Sequence, residues 1–311
     1  MKKTTIDKII RQFGLAGFAV SSLFLGNVMA SETSSAQFLK LGAGARAAAM
    51  ADAFSSVSDD VTAAYWNPAG LAQMKETQIS MMQNSSLLDT QYQYFGGAMP
   101  LKNQTVAFSI YRMDYGTIDR YTAGDEKDGS FDAGSLAGSF SVGRKVNEKL
   151  SLGMNLKFIQ ESIESEKAST FGGDLGVLLQ QGQTNFSFVL QHLGAGLTFV
   201  DEKGSLPQTI RAGVSRNLLD KTLLAAFEIS KPNDNDATLH GGVEYSVNPL
   251  LMLRGGYQMT PGNTLDVAGL TGVTAGLGVN FSKFSIDYGF VPFGDLGSTH
   301  RISFLIKFNQ N

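Results

Sequence analysis

The chain contains no cysteine, only three histidines, and 17% charged residues. Ordinary soluble domains have about 25% charged residues, so charge-rich disordered segments and long charged helices are excluded. Without cysteine there is no disulfide, thiol nucleophile, thiolate metal site or lipid-bearing cysteine. The histidines lie too far apart for a metal site, so we predict no metal and no cofactor. A net charge of −3 provides no basic stripe, which argues against nucleic acid as a partner.

Residues 1–30 have the features of a secretory signal peptide. Four basic residues precede a mostly apolar stretch at 13–26, which is shorter than the ~20 residues of a transmembrane helix. Val28-Met29-Ala30 then places small residues at a cleavage site. A membrane anchor helix is the alternative. An exported chain without a later apolar run of helical length is either periplasmic or an outer-membrane barrel.

Residues 31–75 differ from the rest of the chain. Closely spaced alanines between Ala43 and Ala53 favour a helix or a compact coil. Residues 42–47 fit the dinucleotide-binding pattern GxGxxA, but no buried strand precedes them and no β/α alternation follows, so a nucleotide site is not expected. The turn residues at 66–70 (WNPAG) predict the end of this region.

From Thr77 onward the hydrophobic pattern has a period of two, which is typical of β-strands. Fourteen segments follow this pattern, at 77–84, 91–100, 105–114, 134–144, 150–161, 170–180, 185–193, 207–216, 222–231, 237–247, 250–260, 272–281, 284–291 and 300–308. Their lengths approach the roughly 9–11 residues of a tilted transmembrane strand. An even number suits an antiparallel barrel whose two ends lie on one side of the membrane.

The predicted connections alternate in length. Tight turns follow the even-numbered segments, as at 248–249, and longer links follow most odd-numbered ones, as at 116–130, 161–169 and 194–206. Outer-membrane barrels combine short periplasmic turns with long external loops, whereas a soluble sandwich or barrel gives no reason for this alternation. We therefore predict an all-β fold: a 14-stranded antiparallel transmembrane β-barrel at residues 76–311, in the outer membrane of a Gram-negative-type bacterium.

Four pairs of opposite charge are predicted on the lumen side of adjacent strands. Residues that pair in a hairpin have position numbers of constant sum, and each pair centres on a predicted connection. The pairs are Lys157–Asp174, Arg211–Glu228, Glu244–Arg254 and Asp287–Arg301. Such pairs favour a register by about 0.2–1 kcal/mol each. They form either a charged network in the lumen or chance pairings on a solvated surface.

No catalytic residue is predicted. Outer-membrane hydrolases pair a serine with a histidine, but no serine here is distinguished by its surroundings. His240 is expected to face the lumen beside Glu244, and His192 is expected to face lipid near a strand end. We therefore predict that the protein is not an enzyme.

Segments at both ends of the chain resemble a known family. Residues 42–54 (GAGARAAAMADAF), Asp59-Asp60 and residues 65–72 (YWNPAGLA) resemble the N-terminal signature of FadL-like outer-membrane proteins. Residues 287–304 (DYGFVPFGDLGSTHRISF) are similar to the PorV/PorQ branch of that superfamily. The large external loops typical of its fatty-acid transporters are reduced in this shorter chain.

The resemblance implies an architecture and two possible functions. The lumen of a fourteen-stranded barrel would hold residues 31–75 as a short helical or coil plug, with Arg46 and the turn Asn67, Pro68 and Ala69 as plug and gate residues. Fatty-acid transporters of the superfamily move hydrophobic molecules through the barrel, whereas PorV-type members serve a type IX-like protein secretion system. The implied partners are outer-membrane lipid, a hydrophobic small molecule or an exported protein cargo, and the barrel-assembly machinery during biogenesis.

Overall fold

The computed structural model describes residues 34–85, 90–199, 202–261, 272–292 and 297–308. The predicted signal peptide at residues 1–30 lies outside these ranges. The strands are β1 (Thr77–Ser85), β2 (Gln91–Pro100), β3 (Gln104–Tyr121), β4 (Lys127–Lys145), β5 (Leu150–Ile163), β6 (Glu166–Gln181), β7 (Thr184–Gly194), β8 (Leu197–Phe199), β9 (Glu202–Gly204), β10 (Thr209–Leu218), β11 (Leu223–Pro232), β12 (Thr238–Ser246), β13 (Leu251–Met259), β14 (Val273–Asn280), β15 (Phe284–Pro292) and β16 (Ser298–Phe308).

Fourteen of these strands form a closed antiparallel barrel, which confirms the predicted fold. Strands that follow one another in the chain are neighbours in the barrel, and β1 pairs with β16 to close it. The remaining two, β8 and β9, pair with each other in the connection between β7 and β10. No helix in the described part of the chain is long and apolar enough to cross a membrane.

Alternation along each strand separates an apolar outer face from a lumen face. In β5, Leu156 is 59% exposed on the outside, whereas Lys157 is 1% exposed on the inside. Large apolar side chains of many strands share the outer face, among them Phe108, Phe140, Leu152, Met154, Phe171, Leu175, Phe188, Leu253, Leu277 and Ile302. This continuous belt is the surface that a barrel presents to lipid.

Two of the predicted long loops are strands instead. β3 and β4 extend to Tyr121 and Lys127, and β5 and β6 extend to Ile163 and Glu166, so the links predicted at 116–130 and 161–169 are short turns on long hairpins. Ladder hydrogen bonding continues beyond the apolar belt because backbone groups still need partners there. We call the barrel end with these hairpins and the 195–208 connection the long-loop end, and the opposite end the short-turn end.

Residues 34–76 lie inside the lumen, and we call this segment the plug. It contains helices α1 (Ala45–Ala49) and α2 (Ala63–Trp66) and two 3-10 helices at Gln37–Lys40 and Pro68–Gln73. It starts at the long-loop end, where the Ser35 amide donates to the Ser205 carbonyl at 2.8 Å. It leaves at the short-turn end, where β1 begins. Small alanines allow it to pack closely around a core of buried aromatic rings, which includes Phe54, Tyr65 and Trp66.

Rows of glycine on the lumen face allow the plug backbone to lie directly against the wall. Gly143, Gly153 and Gly176 are register partners across β4, β5 and β6. A methyl group on Gly153 would lie 2.1 Å from both the Ala69 nitrogen and the Pro68 carbonyl carbon. A second set of glycines supports α1 and Met50 on the facing wall, at Gly242, Gly256, Gly276 and Gly289. The path of the plug is therefore determined partly by where the wall has no side chains.

Candidate functional site

The Asn67-Pro68-Ala69 turn is fixed to the wall by one buried side chain. The Asn67 Oδ1 accepts from the Ala69 amide at 3.1 Å, which caps the 3-10 helix that Pro68 starts. Its Nδ2 donates to the Ser55 carbonyl at 3.0 Å and to the Val177 carbonyl of β6 at 3.2 Å. One amide thus joins two parts of the plug and the barrel.

Arg46, in α1, joins the plug to the wall at the short-turn end. Its guanidinium donates two hydrogen bonds to Glu244 of β12, at 2.8 and 2.9 Å. It also binds Asp59 at 2.5 Å and Asp60 at 3.3 Å. Burial lowers the pKa of Arg46, but the carboxylates of Asp59 and Glu244 raise that pKa well above its ordinary value. Arg46 is therefore a permanent cation that bridges the plug and the wall.

The ion-pair network continues from Glu244 around the wall. Arg254 of β13 donates to Glu244 at 2.7 Å and to Asp287 of β15 at 2.6 Å. Glu244 and Arg254 are directly opposite each other in the register. The Arg254–Asp287 contact crosses β14 at Gly278, where a methyl group would lie 2.5 Å from the Asp287 carboxylate.

The ion pair predicted between Asp287 and Arg301 is not formed. Both side chains are buried on the lumen face of adjacent strands, but Asp287 is opposite Ser303 and Arg301 is opposite Gly289. The register is therefore two positions from the one that the constant sum gave. The missing side chain at Gly278 provides Asp287 with a different partner, Arg254.

Lys157 and Asp174 form a buried ion pair of 2.7 Å between β5 and β6. Asp174 also accepts from the His192 amide at 2.8 Å, and the His192 Nδ1 lies 3.0 Å from the Lys157 Nζ. The prediction that His192 faces lipid is therefore wrong. A β-bulge between Gly173 and Leu175 in the β6–β7 pairing, together with a φ of 58° at His192, turns the ring into the barrel.

Arg211 and Glu228 form a third contact between the plug and the wall. The guanidinium binds Glu228 at 2.5 Å and lies 5.0 Å from the centre of the Trp66 ring in the plug. The other Glu228 oxygen accepts from the Ser55 amide at 2.8 Å. Arg211 and Glu228 are diagonal neighbours on the two strands, because the residue directly opposite Arg211 is Ser230.

Uncharged wall residues that the sequence analysis did not single out hold much of the plug backbone. They donate to plug carbonyls, and the pairs are Asn155 to Ala64 at 3.1 Å, Gln191 to Tyr65 at 2.7 Å, Ser215 to Ser56 at 3.0 Å and Thr274 to Ala49 at 3.0 Å. His240, which faces the lumen as predicted, lies 2.8 Å from the Ala51 carbonyl. In the sequence, these wall residues could have been recognised only as polar residues at inward positions of a strand.

A cavity of about 920 Å³ lies between the plug and the β10–β16 wall towards the long-loop end. The plug contributes Lys40, Ala48, Ala51 and Asp52 to its lining, and the barrel contributes Arg211, His240, Tyr257, Met259, Val291 and Arg301, among others. A second cavity of about 540 Å³ lies at the short-turn end, beside Met74 and Leu101. The described residues contain no acidic or histidine cluster suited to a metal ion.

The start of the plug is anchored by Asp234, in the connection between β11 and β12. This carboxylate binds Lys40 at 3.0 Å and accepts hydrogen bonds from Ser34 and Gln37. Burial raises the pKa of Asp234, but the hydrogen bonds from Ser34, Gln37 and Lys40 lower it below its usual value. The Asp234 contacts therefore stabilise the anchor above the unfolded-state pKa of about 3.9, and their contribution is lost as pH falls through the folded-state pKa.

Acidification is expected to loosen this anchor. Amide hydrogen exchange at residues 35–41 should be slow near neutral pH and about tenfold faster, after correction for intrinsic rates, once Asp234 is protonated. Asp234→Asn should exchange at the faster, acid-state rate at every pH, without the pH dependence of the wild type. Exchange in the wild type with no transition in the acid range would contradict the assigned role of Asp234.

A closed fourteen-stranded barrel with an apolar outer belt and a plugged polar lumen is the architecture of an outer-membrane transport protein. Residues 26–239 match the family described as outer membrane protein transport protein (OMPP1/FadL/TodX), and the chain belongs to this family. The family consists of outer-membrane transport proteins, not enzymes. No curated protein matches the chain.

Several solved structures have a similar fold. The CymD monoaromatic hydrocarbon channel is 15% identical with a TM-score of 0.65, over 86% of this chain and 98% of that one. The Pseudomonas putida toluene transporter TodX is 14% identical with a TM-score of 0.63, over 86% and 97%. A Pseudomonas aeruginosa FadL homologue is 11% identical with a TM-score of 0.60, over 86% and 98%. At these identities the likeness concerns the fold.

Proposed function

We propose that the protein moves hydrophobic, fatty-acid-like small molecules across the outer membrane. The observation that carries this proposal is the cavity of about 920 Å³ near the long-loop end, whose inner boundary includes the plug residues Ala48 and Ala51. A cavity of several hundred cubic ångströms with mixed polar and apolar lining is the usual form of a small-molecule site. The names of CymD and TodX, a hydrocarbon channel and a toluene transporter, support the same class of substrate.

In this proposal the plug is the gate. Because it runs from one end of the barrel to the other, a molecule in the cavity reaches the short-turn end only if the plug moves. Many of its contacts with the wall are hydrogen bonds and ion pairs, which water can replace when the plug shifts. Arg46 and the Asn67-Pro68-Ala69 turn hold its short-turn half, so we assign them the gating role. The charged pairs of the lumen provide the wall side of these contacts.

The orientation and surroundings belong to the same proposal. Short turns face the periplasm and long loops face outward in outer-membrane barrels, so the cavity is an external entry site. The apolar belt contacts outer-membrane lipid, and residues 1–30 direct export before the barrel-assembly machinery inserts the chain.

We assign the protein to the PorV/PorQ branch on the resemblance of residues 287–304, while the plugged cavity favours a small molecule over an exported protein as cargo.

A disulfide between the plug and the wall tests this gating. The Ser55 Oγ in the plug lies 2.8 Å from the Ser187 Oγ of β7, so cysteines at both positions can bring their sulfurs to the ~2.05 Å of a disulfide. The natural chain contains no cysteine, so the two introduced thiols can pair only with each other within one molecule. Oxidised S55C/S187C in a deletion strain should lose uptake of radiolabelled dodecanoate and toluene, and reduction should restore it.

The control is a disulfide that leaves the plug free. The Ser109 and Ser139 Oγ atoms are 2.6 Å apart on β3 and β4, so S109C/S139C cross-links only the wall and should transport in both redox states. Uptake that persists in oxidised S55C/S187C would overturn a gating plug. A stoichiometric exported protein that co-purifies in mild detergent, with uptake unchanged in the deletion strain, would favour secretion instead.

A further inference from the structure

Arg301, on β16, differs from the other buried arginines of the lumen. It is 5% exposed, yet its Nε and Nη1 have no hydrogen-bond partner among the described residues. Arg211 and Arg254 each bind a carboxylate within 2.7 Å. A buried charged donor without an acceptor is unfavourable. Its presence therefore calls for a physical explanation.

Three neighbouring side chains share this condition. Asn84 of β1 is directly opposite Arg301, and Tyr92 of β2 is directly opposite Asn84. Thr299 lies two positions from Arg301 on β16, and thus on the same face. The Asn84 Oδ1, Tyr92 hydroxyl and Thr299 Oγ1 are all buried and have no hydrogen-bond partner in the part of the chain that the structure describes. Three adjacent strands therefore carry one cluster of unsatisfied polar groups on the lumen face, which we call the Arg301 cluster.

The Arg301 cluster adjoins the cavity to which we assigned transport. Arg301 lines that cavity, as do Lys40 and Arg211. Lys40 and Arg211 are already neutralised by Asp234 and Glu228. Among the described residues, Arg301 is therefore the cation of the cavity lining whose charge is not paired with a carboxylate. The backbone beside it is close: a methyl group on Gly42 would lie 3.4 Å from the Arg301 Nη1.

The chemistry of the cluster suits one kind of group. A guanidinium presents parallel N–H donors that match the two oxygens of a carboxylate, and the hydroxyls of Tyr92 and Thr299 can donate as well. We infer that the Arg301 cluster binds the carboxylate of a small amphipathic acid whose apolar part occupies the cavity. This inference rests on the proposed function and assigns the residues that bind the acidic end of a fatty-acid-like substrate.

Two acidic lining residues oppose an anion, the exposed Asp236 and the half-buried Asp52. Asp52 is a lining residue whose Oδ1 has no hydrogen-bond partner among the described residues. Its φ of 62° is a conformation that asparagine tolerates. Asp52→Asn therefore removes a negative charge from the same cavity without requiring a new backbone, and it should leave carboxylate affinity equal or higher.

Benzoate and its neutral isostere benzamide test the inference, since both are soluble outside detergent micelles. Isothermal titration of the purified full-length protein should show benzoate binding at least tenfold tighter than benzamide. Arg301→Met should abolish this preference, Arg301→Lys should weaken it, and Asp52→Asn should keep it. The unliganded Arg301→Met protein should have an unchanged or higher unfolding midpoint, because removal of an unpaired buried charge relieves a cost.

The outcomes separate this inference from the proposed function. Equal binding of the two probes, binding of neither, or an unchanged preference in Arg301→Met would overturn the carboxylate site. A lower unfolding midpoint in Arg301→Met with benzoate binding retained would assign Arg301 a structural role instead, which also overturns it. The proposed channel is judged separately, by the uptake of oxidised S55C/S187C.

Discussion

Gly153→Ala is expected to displace the Asn67-Pro68-Ala69 turn from the wall and to destabilise the closed barrel by about 3 kcal/mol. The added methyl group would lie 2.1 Å from backbone atoms of Pro68 and Ala69, and backbone cannot move aside as the end of a side chain can. Thermal unfolding in detergent measures the destabilisation. Ion conductance in planar bilayers should rise, because in the proposed function the turn holds the plug across the short-turn end.

Gly138→Ala provides the matched control. Gly138 lies in β4 of the same wall on the outer face, where a methyl group would meet no atom within 4 Å. Its substitution should leave both stability and conductance close to those of the wild type. Equal behaviour of the two variants would mean that contact between the glycine row and the plug does not keep the barrel closed.

Lys157→Met is expected to lower the free energy of unfolding by about 3–5 kcal/mol, because it leaves a buried carboxylate without its cation. Asp174 is fully buried, and its remaining partners are the amide groups of Asn155 and His192. Denaturant unfolding followed by tryptophan fluorescence would measure the loss, since the single tryptophan, Trp66, lies in the plug.

Lys127→Met is the matched substitution at an exposed ion pair. Lys127 binds Asp119 at 2.8 Å near the tip of the β3–β4 hairpin, with 57% of its side chain exposed. Such pairs contribute about 0–1 kcal/mol, so Lys127→Met should be nearly neutral. A Lys157→Met effect no larger than that of Lys127→Met would show that burial of Asp174 does not determine its energetics.

The strands of the barrel could be predicted because each wall residue faces either lipid or the lumen. That requirement imposes a period of two, as at Leu156 and Lys157. The period of two fades beyond the lipid belt, because both faces of β3 and β4 contact water there. The strand ends at Tyr121 and Lys127 were therefore not predicted. The facing of His192 was missed for a different reason: a β-bulge changes the facing without leaving a periodic signal.

The charged contacts were only partly predictable. Glu244 and Arg254 flank a short turn, so their constant sum gives the true register. The partner of Asp287 depends on the missing side chain of Gly278, on an intervening strand that hairpin arithmetic does not consider. The unpaired state of Arg301 follows from the same shift. Local sequence thus predicts which charges face the lumen, while three-strand packing selects their partners.

The contact between the plug and β16 has a consequence for how the chain folds. The Ala45 amide donates to the Ser303 side chain, 258 positions away, at 2.8 Å. Contacts of such high sequence separation form late, because a long loop must close first. Until β16 emerges and pairs with β1, the alanine-rich plug has no complete lumen to enter, and its apolar surface is open to aggregation. The plug precedes every strand in synthesis and is among the last segments to be enclosed.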